Sequence, residues 1–170
     1  MAVTLFSCEL GEGRVLSIIK DEAEYFIDLR IVENDYQPSR KGQRLSLSRW
    51  KNLINNIEDI EKEVESMKNK EDVDYRLHLG GNIFVSIKTP YWCGNLRKFR
   101  DGTIPTHEGL SLKFGQWQHM IGRLDEIHFQ LPIDIETVIP CQLSEDHQNQ
   151  VGMLRCPECN PNDFDAYSDY

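Results

Sequence analysis

The chain of 170 residues predicts an α+β fold of two tandem units, each four strands followed by a helix. Three observations lead there. First, residues 38–60 and 105–127 match without a gap at one offset of 67 positions. The matched pairs are Pro38/Pro105, Gly42/Gly109, Leu45/Leu112, Trp50/Trp117, Ile54/Ile121 and Ile60/Ile127, with Arg30/Arg97 at the same offset upstream. Second, apolar residues alternate with period 2 ahead of each match and recur with period 3.6 inside it. Third, a repeat this long that occurs twice reads as two copies of a small domain and not as a solenoid. Domains of about 60 residues bury too little surface to be comfortable alone, so the two units are expected to pack on each other.

In the first unit, residues 3–69, a strand over VTLFSCEL ends at Gly11, and a second covers Arg14–Lys20 after a glycine-flanked turn. Tyr25–Val32 alternates, with Tyr25, Ile27, Leu29 and Ile31 on one face and Phe26, Asp28, Arg30 and Val32 on the other. A short fourth strand leads through Pro38 and Gly42 to Leu45, where a proline suits an edge. Trp50, Leu53, Ile54, Ile57, Ile60, Val64 and Met67 then form a helical stripe, which predicts one helix over about Ser48–Lys68 with Ser46 or Ser48 as N-cap. The second unit, residues 71–130, repeats the plan with strands at Tyr75–Leu79, Ile83–Lys88 and Asn95–Arg100, a fourth approaching Leu112, and the stripe Trp117, Met120, Ile121, Leu124, Ile127. Its middle hairpin is two residues shorter, since Ser17 to Arg30 spans 13 positions and Ser86 to Arg97 spans 11. Residues 131–170 differ in kind. LPIDIETVIPCQL reads as one extended piece laid on the body, and the rest is acidic, aperiodic and expected to be mostly disordered.

The net charge is −9, of which residues 131–170 carry −7, so the two units are nearly neutral. The overall sign therefore does not exclude a polyanionic partner, and an acidic tail can compete for any basic surface nearby. Cys8, Cys93, Cys141, Cys156 and Cys159 are odd in number and unevenly spaced, no secretory leader opens the chain, and no apolar run approaches a membrane span. An intracellular, reduced protein with no membrane association is expected.

The ordered succession VLSIIK, YFIDLR, SRKGQRLSL and RW in the first unit, and FVSIK, NLRKF, THEGLSL and QW in the second, resembles the C-terminal domain of the positive cofactor 4 family of transcriptional coactivators. The resemblance covers roughly residues 5–128. It implies a curved antiparallel sheet followed by a helix, and dimers with channels for single-stranded DNA. Here both copies lie on one chain, so an intramolecular pseudo-dimer is implied, with the association entropy largely removed by the tether.

By the same resemblance, Arg14, Arg30, Arg40 and Lys41 stand at basic positions of the family, and Lys20 and Arg44 are additional cations. In the second unit Lys88 and Arg97 match basic positions, Lys98 and Arg100 are adjacent, and Tyr91 and Trp92 occupy the hairpin where the family carries an aromatic. Alternation places Phe84 with Lys88, and Arg97 with Phe99. Against this, Asp21, Glu22, Glu24, Glu33 and Glu108 put carboxylates at channel positions, which would repel phosphates. Arg30 and Arg97 admit two readings, nucleic-acid contact or a structural ion pair with Asp28 or its neighbours. Trp50 and Trp117 lie on the helical stripe and are expected in the core.

The expected function is sequence-tolerant binding of single-stranded or melted DNA, with RNA an open alternative; the resemblance implies a place in nuclear transcription beside the transcription machinery. A second reading is a diverged protein-interaction module that has lost DNA binding. Removal of the acidic tail is expected to tighten DNA binding. No Ser-His-Asp elbow, phosphate loop or HExxH is present, so no enzyme and no cofactor are expected. Cys156-Pro-Glu-Cys159 is a C-x2-C knuckle with Cys141 and His147 upstream as further zinc ligands, but one knuckle without a matched pair does not assign a metal.

Overall fold

In the computed structural model, residues 1–33, 37–101, 103–144, 156, 158 and 159 are described. Strands β1 (Ala2–Gly11), β2 (Arg14–Asp21), β3 (Glu24–Glu33) and β4 (Gln37–Ser46) form one antiparallel sheet in that order. Strands β5 (Asp74–Gly80), β6 (Ile83–Lys88), β7 (Cys93–Arg100) and β8 (Ile104–Lys113) form the second. Each sheet is followed by helices, so the chain is α+β with two tandem ββββα-like units, as the repeat predicts. Among the described residues no helix is long and apolar enough to cross a membrane.

Alternation decides which face of each sheet is covered. Leu16, Ile18, Ile27, Leu29 and Leu45 point inward in the first unit, and Val85, Ile87, Leu96, Leu110 and Leu112 do so in the second. The opposite faces carry Asp28, Arg30 and Arg44, and Arg76, Phe84, Arg97 and Phe99, by the same period-2 logic. Trp50 and Trp117 are buried, as the helical stripe requires.

The helix predicted over about Ser48–Lys68 is two, α1 (Leu47–Asn55) and α2 (Ile57–Lys68). Asn56 interrupts it: its side-chain Nδ2 donates to the Asn52 carbonyl at 2.8 Å and to Asn52 Oδ1 at 3.2 Å, competing with the backbone ladder. Its own N–H tightens to the Leu53 carbonyl, three residues back. Arg123, 67 positions on, separates α3 (Phe114–Gly122) from α4 (Leu124–Gln130) with the same i to i−3 bond to Met120. Residues as unlike as Asn and Arg occupy the two breaks, so the two breaks share backbone geometry but no side-chain chemistry. Ser46 caps α1 by accepting the Arg49 N–H.

The units pack in a pseudo-twofold manner. The sheets meet along β4 and β8, and each unit's first helix crosses onto the other unit's first strand, α1 onto β5 and α3 onto β1. Matching polar ties close these crossings. Asn52 Nδ2 donates to the carbonyls of His78 and Leu79 (3.1 and 3.3 Å), and His119 Nδ1, at the equivalent helix position, donates to the Leu10 carbonyl at 3.3 Å. Trp50 Nε1 donates to His128 Nε2 at 3.0 Å across the units, whereas Trp117 Nε1 stays within its own unit on the Gly94 carbonyl.

The Trp50 bond requires a His128 Nε2 without a proton. Burial first, and then Lys51, hold His128 below the ordinary histidine range, against the opposing pull of Asp125 and Glu136. Burial holds His78 below it as well, outweighing its bond to the Gly81 carbonyl. Because both folded-state values are depressed, the unfolded chain takes up protons first as pH falls through about 6.5, and stability is lost in that direction. The melting temperature should fall between pH 7.5 and pH 5.5, and His128→Gln should remove part of that slope. A melting temperature unchanged over this range would refute the assignment.

Of the tail, residues 131–144 contain two short 3-10 turns, Ile135–Thr137 and Cys141–Leu143, and Leu131 and Ile135 are buried. Residues 145–155, 157 and 160–170, on which most of the expected disorder falls, lie outside the described residues, as does His147.

Candidate nucleic-acid interface

The positions that repeat most faithfully serve architecture in both units. The ladder between third and fourth strands is interrupted after Arg30 and after Arg97. At each interruption the arginine Nη1 donates to a carbonyl of the fourth strand, Ser39 at 2.8 Å and Thr106 at 2.7 Å. The hydroxyl of that residue donates back to the third strand, to Ile31 at 2.6 Å and Lys98 at 2.7 Å, and accepts the N–H two residues on, from Lys41 or Glu108, at 3.2 Å. The glycine that follows permits the close approach. A Cβ on Gly42 would lie 2.6 Å from the Leu29 carbonyl oxygen, and on Gly109 2.5 Å from that of Leu96.

The units diverge in what else the arginine does. Arg30 Nε and Nη2 grip Asp28 at 3.0 and 2.9 Å, and Asp28 is only 5 % exposed. Arg44 joins from 4.0 Å and reaches Asp21 at 3.7 Å, so the outer face of the first sheet neutralises itself. Of the two readings for this position, the first unit has the ion pair. Asn95 stands where Asp28 would in the second unit, and no carboxylate pairs with Arg97 among the described residues.

Arg97 instead lines an open groove of about 430 Å³ where β4 meets β8, together with Arg40, Lys41 and His107. Arg40, Lys41 and His107 are exposed, and neither Arg40 nor Lys41 is ion-paired among the described residues. The groove thus joins cations from both units, a juxtaposition that no local motif encodes. Glu108 is exposed next to His107 and dilutes the positive charge.

On the same outer face of the second sheet the Arg76 guanidinium lies 4.3 Å from the Phe84 ring centre and 4.6 Å from that of Phe99. The two rings meet edge to face at 5.4 Å, and His78 closes on Phe84 at 4.9 Å. Arg76 is exposed and presents a planar cation above an aromatic pair. Sequence reading missed it. The alternation of Tyr75–Leu79 already places Arg76 opposite Ser86, on the face of Phe84 and Lys88.

The other predicted residues are spread. Tyr91 and Trp92 are 65 % and 57 % exposed at the β6–β7 hairpin, where Trp92 touches Phe114 edge-on at 6.0 Å and Lys88 is exposed nearby in sequence. Cys93 pairs with Lys113 and Arg97 with Gly109, so the hairpin aromatics sit at the far end of β7 from the groove. Lys98, opposite Ile83 on β6, is the bulge residue without a partner on β8. Arg14 is a bridge between units, its Nε on the Ser111 carbonyl at 3.2 Å and its Nη1 on that of Glu12 at 3.0 Å. Lys20 is exposed, 5.8 Å from the ring of Tyr25 across the hairpin. Glu22, Glu24 and Glu33 are exposed on the first unit. Of the three described acids of the tail, Glu136 engages Lys51 at 3.7 Å and Glu158 engages Arg49 at 3.3 Å, while Asp134 accepts the Glu136 N–H.

No protein-family model matches the chain, and neither curated proteins nor solved structures include a match to it.

Proposed function

We propose that the chain binds single-stranded nucleic acid without reading its sequence, through the outer face of the second sheet and the groove at its border with the first. The observation that carries this is the placement of Arg97, which belongs both to the groove with Arg40, Lys41 and His107 and to the sheet face with Arg76, Phe84 and Phe99. Sequence-tolerant capture needs cations along the backbone and planar groups for the bases. This surface supplies both, and Tyr91 and Trp92 extend the aromatic supply at the hairpin. The resemblance to the positive cofactor 4 family supports the same reading, and with it a coactivator-like role on melted DNA in nuclear transcription. The self-neutralised first sheet supports an asymmetric use of the two units, in which the second does most of the binding.

The test is titration of a fluorescent single strand of about 20 nucleotides, beside the matching duplex, across a salt series. With Arg40, Lys41, Arg76 and Arg97 on phosphates, the slope of log affinity against log salt should be about −3, since each phosphate contact to a single strand contributes about −0.7. Lys41→Ala should make it shallower by about 0.7, and Trp92→Ala should cost about 1–3 kcal/mol if a base stacks there. No binding at low salt would end this reading. It would leave the interaction module, which the carboxylates Glu22, Glu24, Glu33 and Glu108 favour, as the function of the fold.

A further inference from the structure

The thiols of Cys141, Cys156 and Cys159 lie within 4.8 Å of one another, and the Sγ atoms of Cys141 and Cys156 are 3.4 Å apart. Two sulfurs on one tetrahedral ion at about 2.3 Å would be separated by about 3.8 Å, so the cluster is already at ligand spacing. Cys156 and Cys159 come from the C-x2-C knuckle, and Cys141 is fifteen residues upstream of Cys156, held by its N–H on Ser48 Oγ at 2.6 Å. The backbone N–H groups of Glu158 and Cys159 turn toward the Cys156 sulfur.

The knuckle has a prepared seat. Arg49 donates through Nε and Nη2 to the Glu158 carbonyl at 3.2 and 2.8 Å, and Ser46 Oγ bonds the Glu158 carboxylate. Gly80 at the end of β5 leaves the room, because a Cβ there would lie 2.5 Å from the Glu158 carbonyl oxygen. In the other half of the pseudo-dimer Gln116 holds the position of Arg49 and bonds the Gly11 carbonyl directly at 2.8 Å. One α–β crossing is thus closed by the body alone, and the other, closed by Asn52, receives the tail as well.

We infer that Cys141, Cys156 and Cys159 bind one zinc ion that staples the C-terminal segment onto the crossing of α1 and β5. Three convergent sulfurs select a thiophilic ion over a disulfide, which would use two and strand the third. Iron–sulfur clusters ordinarily take four cysteines. The fourth position of a tetrahedral site belongs to a further donor, whose identity spectroscopy reads.

The full chain, produced in zinc-replete medium and purified without chelator, should carry about one zinc by elemental analysis. A thiol-directed mercurial should release it in step with thiol loss. Cys156→Ser and Cys159→Ser should lose most of the zinc, and Cys8→Ser and Cys93→Ser, outside the cluster, should keep it. Should a cluster variant fail to fold, cobalt loaded into the unaltered chain gives the same answer, through a thiolate-to-metal absorption of the strength of three sulfurs. X-ray absorption should then report three sulfurs and one lighter donor. A zinc-free full chain, full zinc in the folded Cys156→Ser variant, or an oxidised Cys141–Cys156 pair in the freshly purified protein would each overturn the assignment.

Discussion

Trp50→Ala is expected to lower the stability of the whole chain by about 4 kcal/mol, within the 3–5 kcal/mol typical of a buried aromatic truncated to alanine. The Trp50 side chain is wholly buried between helix and sheet, and its indole N–H is the donor that His128 receives from the other unit. Removing it opens a cavity and leaves the His128 Nε2 without a partner, so both units should feel one substitution. For a chain of this size such a loss corresponds to roughly 8–16 °C in melting temperature. Trp50→Phe isolates the polar share. Most of the apolar area remains, the bond to His128 is gone, and about 1 kcal/mol should be lost. Calorimetry of the three proteins decides the matter. A single transition that moves by less than about 1 kcal/mol in Trp50→Ala would contradict the packing described.

Arg30→Ala should cost about 3 kcal/mol, although the same substitution at Arg97 should cost about 1. The difference lies in what is left behind. Without Arg30, Asp28 is buried with only Arg44 at 4.0 Å to answer its charge, and breaking a buried pair from one side costs about 3–5 kcal/mol. The partial exposure of Arg30 puts the expectation at the lower end. Loss of Arg97 removes one hydrogen bond to the Thr106 carbonyl and strands no carboxylate. Asp28→Asn, which installs the residue the second unit has at Asn95, should rescue most of the Arg30→Ala deficit. Alone, it should release Arg30 from its ion pair and, if the proposed function holds, strengthen single-strand binding. Chemical denaturation of the two single variants and the double variant measures the coupling. A double variant as unstable as Arg30→Ala would mean that the cost lies elsewhere than in the buried charge.

Much of this fold was legible because two copies of one plan calibrate each other. The alternation of Tyr25–Val32 and the stripe from Trp50 to Met67 are one-dimensional signals, and their strands and core face are found where the periods place them. The helix break was not legible, because Asn56 and Arg123 share no chemistry that would mark the position in the sequence. The site was legible only in part. Arg97, Arg40 and Lys41 were named, but their union in one groove depends on β4 meeting β8, a contact between segments far apart in sequence. The partner of Arg30 lay two residues away and could be named as an alternative but not chosen. Choosing required the burial of Asp28, a property of the folded sheet. The meeting of Cys141 with Cys156 and Cys159 is likewise a matter of where the chain returns, which spacing alone does not encode.

A homodimer must present every surface twice, so whatever docks on one protomer can dock on the other. The two crossings of this chain escape that rule, since Gln116 bonds Gly11 at one and Arg49 holds the carbonyl of Glu158 at the other. Two copies on one chain make such an inequality heritable: each half can change its residues without imposing the change on its twin. The molecule gains a front and a back, with one tail to one pair of sheets, and a strand laid across it would meet a surface with a defined polarity.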